Sequence, residues 1–184
     1  MKPLLTLLIC IVAGILSASS PAMGAEVNDT VTLQRNGYLI HYPKNWKIHY
    51  GEKGEVVFSF TAPYTKSKIS TNIQTIYTKA HSGKYKSVKE LMDDFLIQVP
   101  MHAQDARLFD RKPYTLTEPD GSHLTGEQIT VTFIENKQTY KQWQIMLMTD
   151  NGVLFQAFAY RAPLPLYDEY LPVANSMLTS WVIQ

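Results

Sequence analysis

Aspartate, serine and histidine stand together at Asp120, Ser122 and His123. These are the residue types that an activated nucleophile, its base and the base's orienting group require. Their spacing argues against that chemistry. Ser122 and His123 are neighbours, so on an extended chain their side chains leave opposite faces. No Gly-x-Ser-x-Gly elbow lifts a serine onto a strained turn. Pro119-Asp120-Gly121 reads as a polar turn instead. Asp93 and Asp94 are a carboxylate pair of the kind hydrolysis uses, but a helix would place them opposite Leu91, Met92 and Phe95, on its solvated face. The five histidines, His41, His49, His81, His102 and His123, contain no His-Glu-x-x-His spacing. His41 and His49 are expected on neighbouring strands, where they would be the one pair able to meet. Met101-His102 together with Met146 and Met148 offers soft ligands suited to copper, yet thioethers so placed are expected to fill gaps in a core. Gly51-Glu52-Lys53-Gly54 lacks the spacing of a phosphate loop. The expectation is no catalytic residue, no metal and no cofactor. Trp46, Trp143 and Trp181 are expected in helix–sheet packing. The alternative is that Tyr42, Trp46 or Tyr50 lines a groove for a partner or an apolar ligand.

The elements that must position these residues begin after a leader. Lys2 precedes an apolar run from Leu4 to Leu16, then small residues from Ser17 to Ser20, then Ala22-x-Gly24. This is the pattern of a cleavable secretory signal peptide over residues 1–25, cut after Gly24 or Ala25. The apolar run is short of the ~20 residues that span a bilayer. Cys10 is the chain's one cysteine, and Leu8-Ile9 before it is not a lipobox. The processed protein would therefore have no disulfide, thiol nucleophile or thiolate ligand. Loss of Lys2 leaves sixteen basic and sixteen acidic side chains, a balance that offers nothing to nucleic acid or to an anionic membrane. Residues 26–184 are expected to form one domain, long enough to bury ~70% of the unfolded chain's surface.

Strand signals dominate that domain. Asn36-Gly37 between Thr30–Leu33 and Tyr38–Tyr42 is a strong hairpin signal, because both turn residues need positive φ. Residues 46–50 and 56–60 flank a second turn, and residues 72–77 make a further strand. Ser87-Val88-Lys89-Glu90 is a capping box. It opens a helix whose apolar residues Val88, Leu91, Met92, Phe95, Leu96 and Val99 recur at helical spacing, with Pro100 expected to end it. Strands follow over 107–117, 128–135, 139–149 and 153–160. In the last two, both faces are apolar, so both are expected to be covered. Tyr167, Tyr170, Leu171, Ala174, Leu178 and Trp181 mark a closing helix, with Pro172 in its first turn or at a kink. The order predicts an α+β domain, an antiparallel sheet with helices packed on its faces.

Gly37-Tyr-Leu-Ile-His-Tyr-Pro43-Lys-Asn-Trp46 resembles the N-terminal signature of the PsbP-like (Mog/PsbP/DcrB) fold family. So do the capped helix at Ser87, the hairpin carrying Gln142-x-Gln144 and Asp150 to Tyr160, and the close Ser176-Met-Leu-Thr-Ser180-Trp-Val-Ile. The resemblance implies an α/β/α sandwich. It also implies mainly non-enzymatic roles, from assisting a photosynthetic water-oxidising complex to binding a small GTPase or chaperoning secreted effectors. With an export signal, it points to the DcrB-type proteins of the bacterial envelope. The expected function is a periplasmic, non-catalytic accessory protein whose partner is another envelope protein. A binder of a small apolar ligand or lipid between helix and sheet is the alternative, and a hydrolase the second alternative. Fold alone does not choose among them.

Overall fold

A computed structural model describes residues 29–35, 37–51, 55–149 and 151–184. The leader assigned to residues 1–25 lies outside the described residues, as do Asn36 and residues 52–54 of the two turns named above. In chain order the elements are β1 (Thr30–Arg35), β2 (Tyr38–Pro43), β3 (Lys47–Tyr50), β4 (Val56–Thr61), β5 (Lys68–Tyr77), α1 (Val88–His102), β6 (Gln104–Thr117), β7 (His123–Glu135), β8 (Gln138–Met148), β9 (Leu154–Pro163), α2 (Tyr167–Thr179) and β10 (Val182–Ile183). Short 3-10 turns span Lys79–His81 and Leu164–Leu166.

The strands form two sheets, where a single sheet was expected. One holds β1-β2-β10 and the other β3-β4-β5-β9-β8-β7-β6. All named strand pairs are antiparallel. Arg35 pairs with Tyr38 across the predicted first hairpin, and Gly37 takes φ +78°, the left-handed conformation such a turn demands. Strand alternation sends apolar residues of the large sheet to both sides. Ile145, Leu147, Phe158 and Tyr160 enter a core shared with α2 and with Tyr38 and Ile40 of the small sheet. Met146, Phe155, Ala157, Ile129, Val131 and Phe133 enter a second core under α1. Both faces of β8 and β9 are thus covered, as their composition required. The architecture is the expected α+β sandwich.

Helix α1 starts where the capping box predicts. Ser87 Oγ accepts from the Glu90 N–H at 3.2 Å. Glu90 reaches back to the Lys86 N–H at 2.8 Å rather than to that of the cap itself. Pro100 does not end the helix, which runs on to His102. Proline's fixed φ is helical, and in the last turn its missing N–H forfeits only the bond to the Leu96 carbonyl. The Ala103 N–H closes the end on the Val99 carbonyl at 3.0 Å. Helix α2 begins at Tyr167. Pro172 therefore falls in the second turn rather than the first, and the bond lost is the one to Asp168.

Candidate functional site

The α2-side face of the large sheet changes character along β8. Trp143, Ile145 and Leu147 lie against the α2 core. Thr139 and Lys141, four and two residues before Trp143, share that face because side chains repeat every second residue. On β7, Thr130 and Thr132 extend the same polar strip. An open groove of about 700 Å³ remains there, and no residue of α2 lines it. Its walls come from three strands and one turn. Thr130 and Thr132 belong to β7, and Thr139 and Lys141 to β8. Arg107, Phe109 and Asp110 belong to β6, and Leu164 is in the 3-10 turn before α2. Lys141 Nζ lies 4.3 Å from the Tyr167 ring centroid, which places its charge at the α2 end of the groove.

Strand β6 shapes the other wall. It lies at the edge of the sheet, with β7 as its one partner among the described strands. Two register shifts interrupt the ladder, one between Gln104 and Arg107 and one between Leu108 and Asp110. Each inserts one extra residue, and a bulge re-aims side chains near it. Phe109 is the extra residue of the second bulge. It lines the groove while 66% exposed. Leu108, opposite Val131, turns to the α1 side and is 50% exposed. Asp105, in the first bulge, takes φ +49°, a conformation that Asp tolerates better than most residues. Asp110 pairs with Lys112 at 2.8 Å. The groove is amphipathic, with two exposed apolar anchors, two cations and two carboxylates.

On the opposite face, α1 covers the sheet well at its start and poorly at its end. Val88, Leu91 and Met92 are buried, while Ile97 and Met101 are 59% and 70% exposed. The gap between the end of α1 and the sheet holds only about 200 Å³, lined by Phe95, Val99, His102, Phe133, Gln142 and Arg161. Arg161 fills its floor, ion-paired to Glu135 and stacked 4.1 Å from the Tyr140 ring centroid. The gap is below the ~300 Å³ typical of a site for a drug-sized ligand.

The residues singled out in sequence scatter. Asp120 Oδ1 accepts from the Ser122 N–H at 2.9 Å, which holds its carboxyl below the usual range. His123 Nδ1 instead meets Thr117 Oγ1 at 3.1 Å. The three form a turn and a strand start. Asp93 and Asp94 are not simply solvated. Asp93 binds Lys89 at 2.6 Å and Arg111 of β6 at 2.5 Å. Lys89 first, then Arg111, lowers its carboxyl. Asp94 accepts from Tyr85, Lys84 and Gln98, and Tyr85 first, then Lys84, lowers it likewise. Both carboxylates are thus fastening points for α1.

His41 and His49 do not share a sheet. The first is on β2 of the small sheet, bonded to Thr32 Oγ1 at 3.1 Å, and the second on β3 of the large one. Hairpin signals identify neighbouring strands but not the point where the chain changes sheet. Among the described residues no three His, Cys, Asp or Glu side chains gather as a metal set. Met101 is exposed near the end of α1. Met146 is buried in the core. Trp46, Trp143 and Trp181 pack as expected, Trp46 on Phe60 and Trp181 against Phe158, while Trp143 Nε1 donates to Gln128 at 2.9 Å. Tyr42 packs on Phe58, and Trp46 is buried. Tyr50 is exposed beneath Arg35.

Sequence reading missed Arg107, Phe109, Asp110, Lys141 and Leu164. One signal was present. In Arg107-Leu-Phe-Asp110 two adjacent large apolar residues sit between charges, which breaks strand alternation and marks a bulge.

Comparison with known proteins bears on the fold. No family model matches the chain, and no curated protein does. Solved structures do. PA94 of Pseudomonas aeruginosa, a protein of unknown function, superposes with a TM-score of 0.55 at 8% identity, over 84% of this chain and 97% of its own. The cyanobacterial PsbP protein (CyanoP) of Synechocystis gives 0.54 at 15%, over 85% and 92%. LpqN of Mycobacterium tuberculosis, described as involved in cell envelope biogenesis, gives 0.52 at 13%, over 85% and 91%. This chain has the PsbP-like fold, and at these identities the likeness extends to the fold alone.

Proposed function

We propose that this chain is a DcrB-type, non-catalytic accessory protein of the bacterial envelope, exported to the periplasm, which docks a segment of another envelope protein in the groove formed by β6, β7, β8 and the 3-10 turn before α2. The groove carries the reading. It is large, open and amphipathic, with the exposed anchors Phe109 and Leu164, and exposed apolar side chains rimmed by charge are the mark of an interaction site. The leader pattern of residues 1–25 supports export. Among the described residues no helix is long and apolar enough to cross a membrane. The likeness to LpqN, an envelope-biogenesis protein, agrees with the compartment.

The test is site-specific photocrosslinking in living cells from position 164, with fully exposed Tyr64 as the control position. The expected result is one dominant envelope protein captured from position 164 and absent from position 64. Equal capture from both positions, or none from either, overturns the docking reading. A robust turnover of any substrate overturns the non-catalytic one. A lipid co-purifying without detergent, seen by native mass spectrometry, would replace the protein partner with a small ligand in the same groove.

A further inference from the structure

The large sheet has two edges, and they are protected unequally. Edge strand β3 is four residues long, and Arg35 from the first hairpin lies over its exposed Tyr50, 4.2 Å from the ring centroid. Edge strand β6 is fourteen residues long. Its two bulges and Pro113 are the usual devices that blunt an edge, yet Leu108 and Phe109 stay exposed in its middle.

The segment around them is complementary to itself. From Asp105 to Lys112 it reads Asp-Ala-Arg-Leu-Phe-Asp-Arg-Lys. Laid antiparallel on a second copy, with a two-fold axis between Leu108 and Phe109, Arg107 meets Asp110 of the second copy. Asp105 meets Lys112, and symmetry repeats each contact, while Leu108 lies beside its own symmetry mate on the α1 side and Phe109 beside its mate on the groove side. Residues directly opposite in an antiparallel pair share a face. Asp105, Arg107 and Asp110 do share one, since all three line the same groove. Arg107 and Asp105 have no ion pair or side-chain hydrogen bond among the described residues, so both are available. Asp110 and Lys112 hold each other within the chain, but they are surface groups, and exposed pairs of that kind exchange at little cost. The remaining cation, Arg111, would face uncharged Ala106. It is the one already engaged, by Asp93 and Glu127 on the α1 side. The second bulge makes this match possible, because its extra residue puts Arg107 and Asp110, three apart in sequence, on one face.

We propose that this chain forms a two-fold dimer in which β6 docks antiparallel on β6 of a second copy, the axis passing between Leu108 and Phe109. An isologous contact of this kind closes on itself and does not propagate. It joins two seven-stranded sheets into one and brings the two grooves together on a single face. The dimer does not depend on the groove having another occupant.

The test measures dissociation of the protein expressed from its full chain, by sedimentation equilibrium and by light scattering after size exclusion. A dimer is expected. Arg107→Asp sets two like charges against each other at both symmetric positions, and Asp110→Arg does the same with opposite sign. Each is expected to weaken the dimer at least ~tenfold, since like charges juxtaposed across an interface cost several kcal/mol. The double variant R107D/D110R restores the match and is expected to recover most of the affinity. That recovery also excludes misfolding as the cause of the single-variant losses. A monomer at ~100 μM, a weaker affinity than specific interfaces show, overturns the proposal. So does a dimer indifferent to both reversals, or a double variant that fails to recover. A monomer that still captures an envelope protein from position 164 would leave the docking reading intact. A charge-dependent dimer that captures nothing would leave this one.

Discussion

Helices α1 and α2 cover opposite faces of one sheet, and the sheet holds them differently. Helix α2 buries Tyr167, Tyr170, Val173, Ala174, Met177 and Leu178 along its whole length. It is tied at both ends, through the Tyr160 hydroxyl donating to the Tyr167 carbonyl at 2.7 Å and through Ser180 Oγ accepting from the His41 N–H at 2.9 Å. Helix α1 buries Val88, Leu91 and Met92, all in its first five residues. Beyond them it is fastened by charge, with Asp93 to Lys89 and Arg111, and Asp94 to Lys84 and Tyr85. An apolar attachment is strong and indifferent to salt, whereas exposed ion pairs are weak and screened. The α2 side is therefore the structural half of the molecule. The α1 end and the neighbouring β6 edge, with Ile97, Met101, Leu108 and Phe109 exposed, form the half that has surface to offer.

The largest effect expected on this contrast comes from the α2 core. Phe158 is fully buried against Trp143 and Trp181, and Phe158→Ala should cost ~3–5 kcal/mol. Urea unfolding measures it, and a loss under ~2 kcal/mol would show that this core can collapse around the gap. Under α1, Met92→Ala should cost ~2–3 kcal/mol, the low end for a buried methionine, because the surrounding core is smaller and its rim can relax. Equal losses at the two sites would erase the distinction between the halves.

The two faces should also fail at opposite ends of the pH scale. Burial pushes the phenols of Tyr38 and Tyr167 up to about 12, and Tyr160 higher still. These groups favour the folded state below the ordinary value of 10.0, and that contribution is lost as pH rises from there toward 12. Asp93 and Asp94 have lowered carboxyls. Their contribution is present above the ordinary value of 3.8 and is lost as pH falls through the lowered ones. Hydrogen exchange should therefore show α1 loosening first in acid and α2 first in alkali, and the reverse order would contradict the assignment of attachments. Tyr38 offers a sharper probe, since its buried hydroxyl has no hydrogen-bond partner among the described residues. Tyr38→Phe should gain up to ~1 kcal/mol and reduce the alkaline loss. A clear destabilisation would mean that the hydroxyl has a polar neighbour. Last, Ile97→Ser with Met101→Ser should change stability by no more than ~0.5 kcal/mol, measured by thermal unfolding. A larger loss would place these side chains in the fold rather than on its surface.

Much of this architecture was legible residue by residue. Asn36-Gly37 announced a hairpin, Ser87-x-x-Glu90 a helix start, and the two-sided apolar pattern of β8 and β9 a sheet covered on both faces. Each is a local signal, because turn geometry, capping and side-chain alternation act over two to four residues. The polar turn at Asp120 was legible for the same reason. Local signals do not reach the assignment of strands to sheets, so His41 and His49 looked like neighbours. They also overstate the breaking power of Pro100 and Pro172, whose fixed φ is helical and which cost each helix one backbone hydrogen bond.

The groove lay further from view. Its walls come from Arg107, Phe109, Thr130, Lys141 and Leu164, which span three strands and a turn and meet only once the sheet has assembled. The amino-acid order alone settled where the chain turns, caps and buries its apolar faces, because those choices are made between near neighbours. Where the cover runs out was settled by the packed fold, because the length of α2 set against the width of a seven-stranded sheet is a relation between distant parts of the chain.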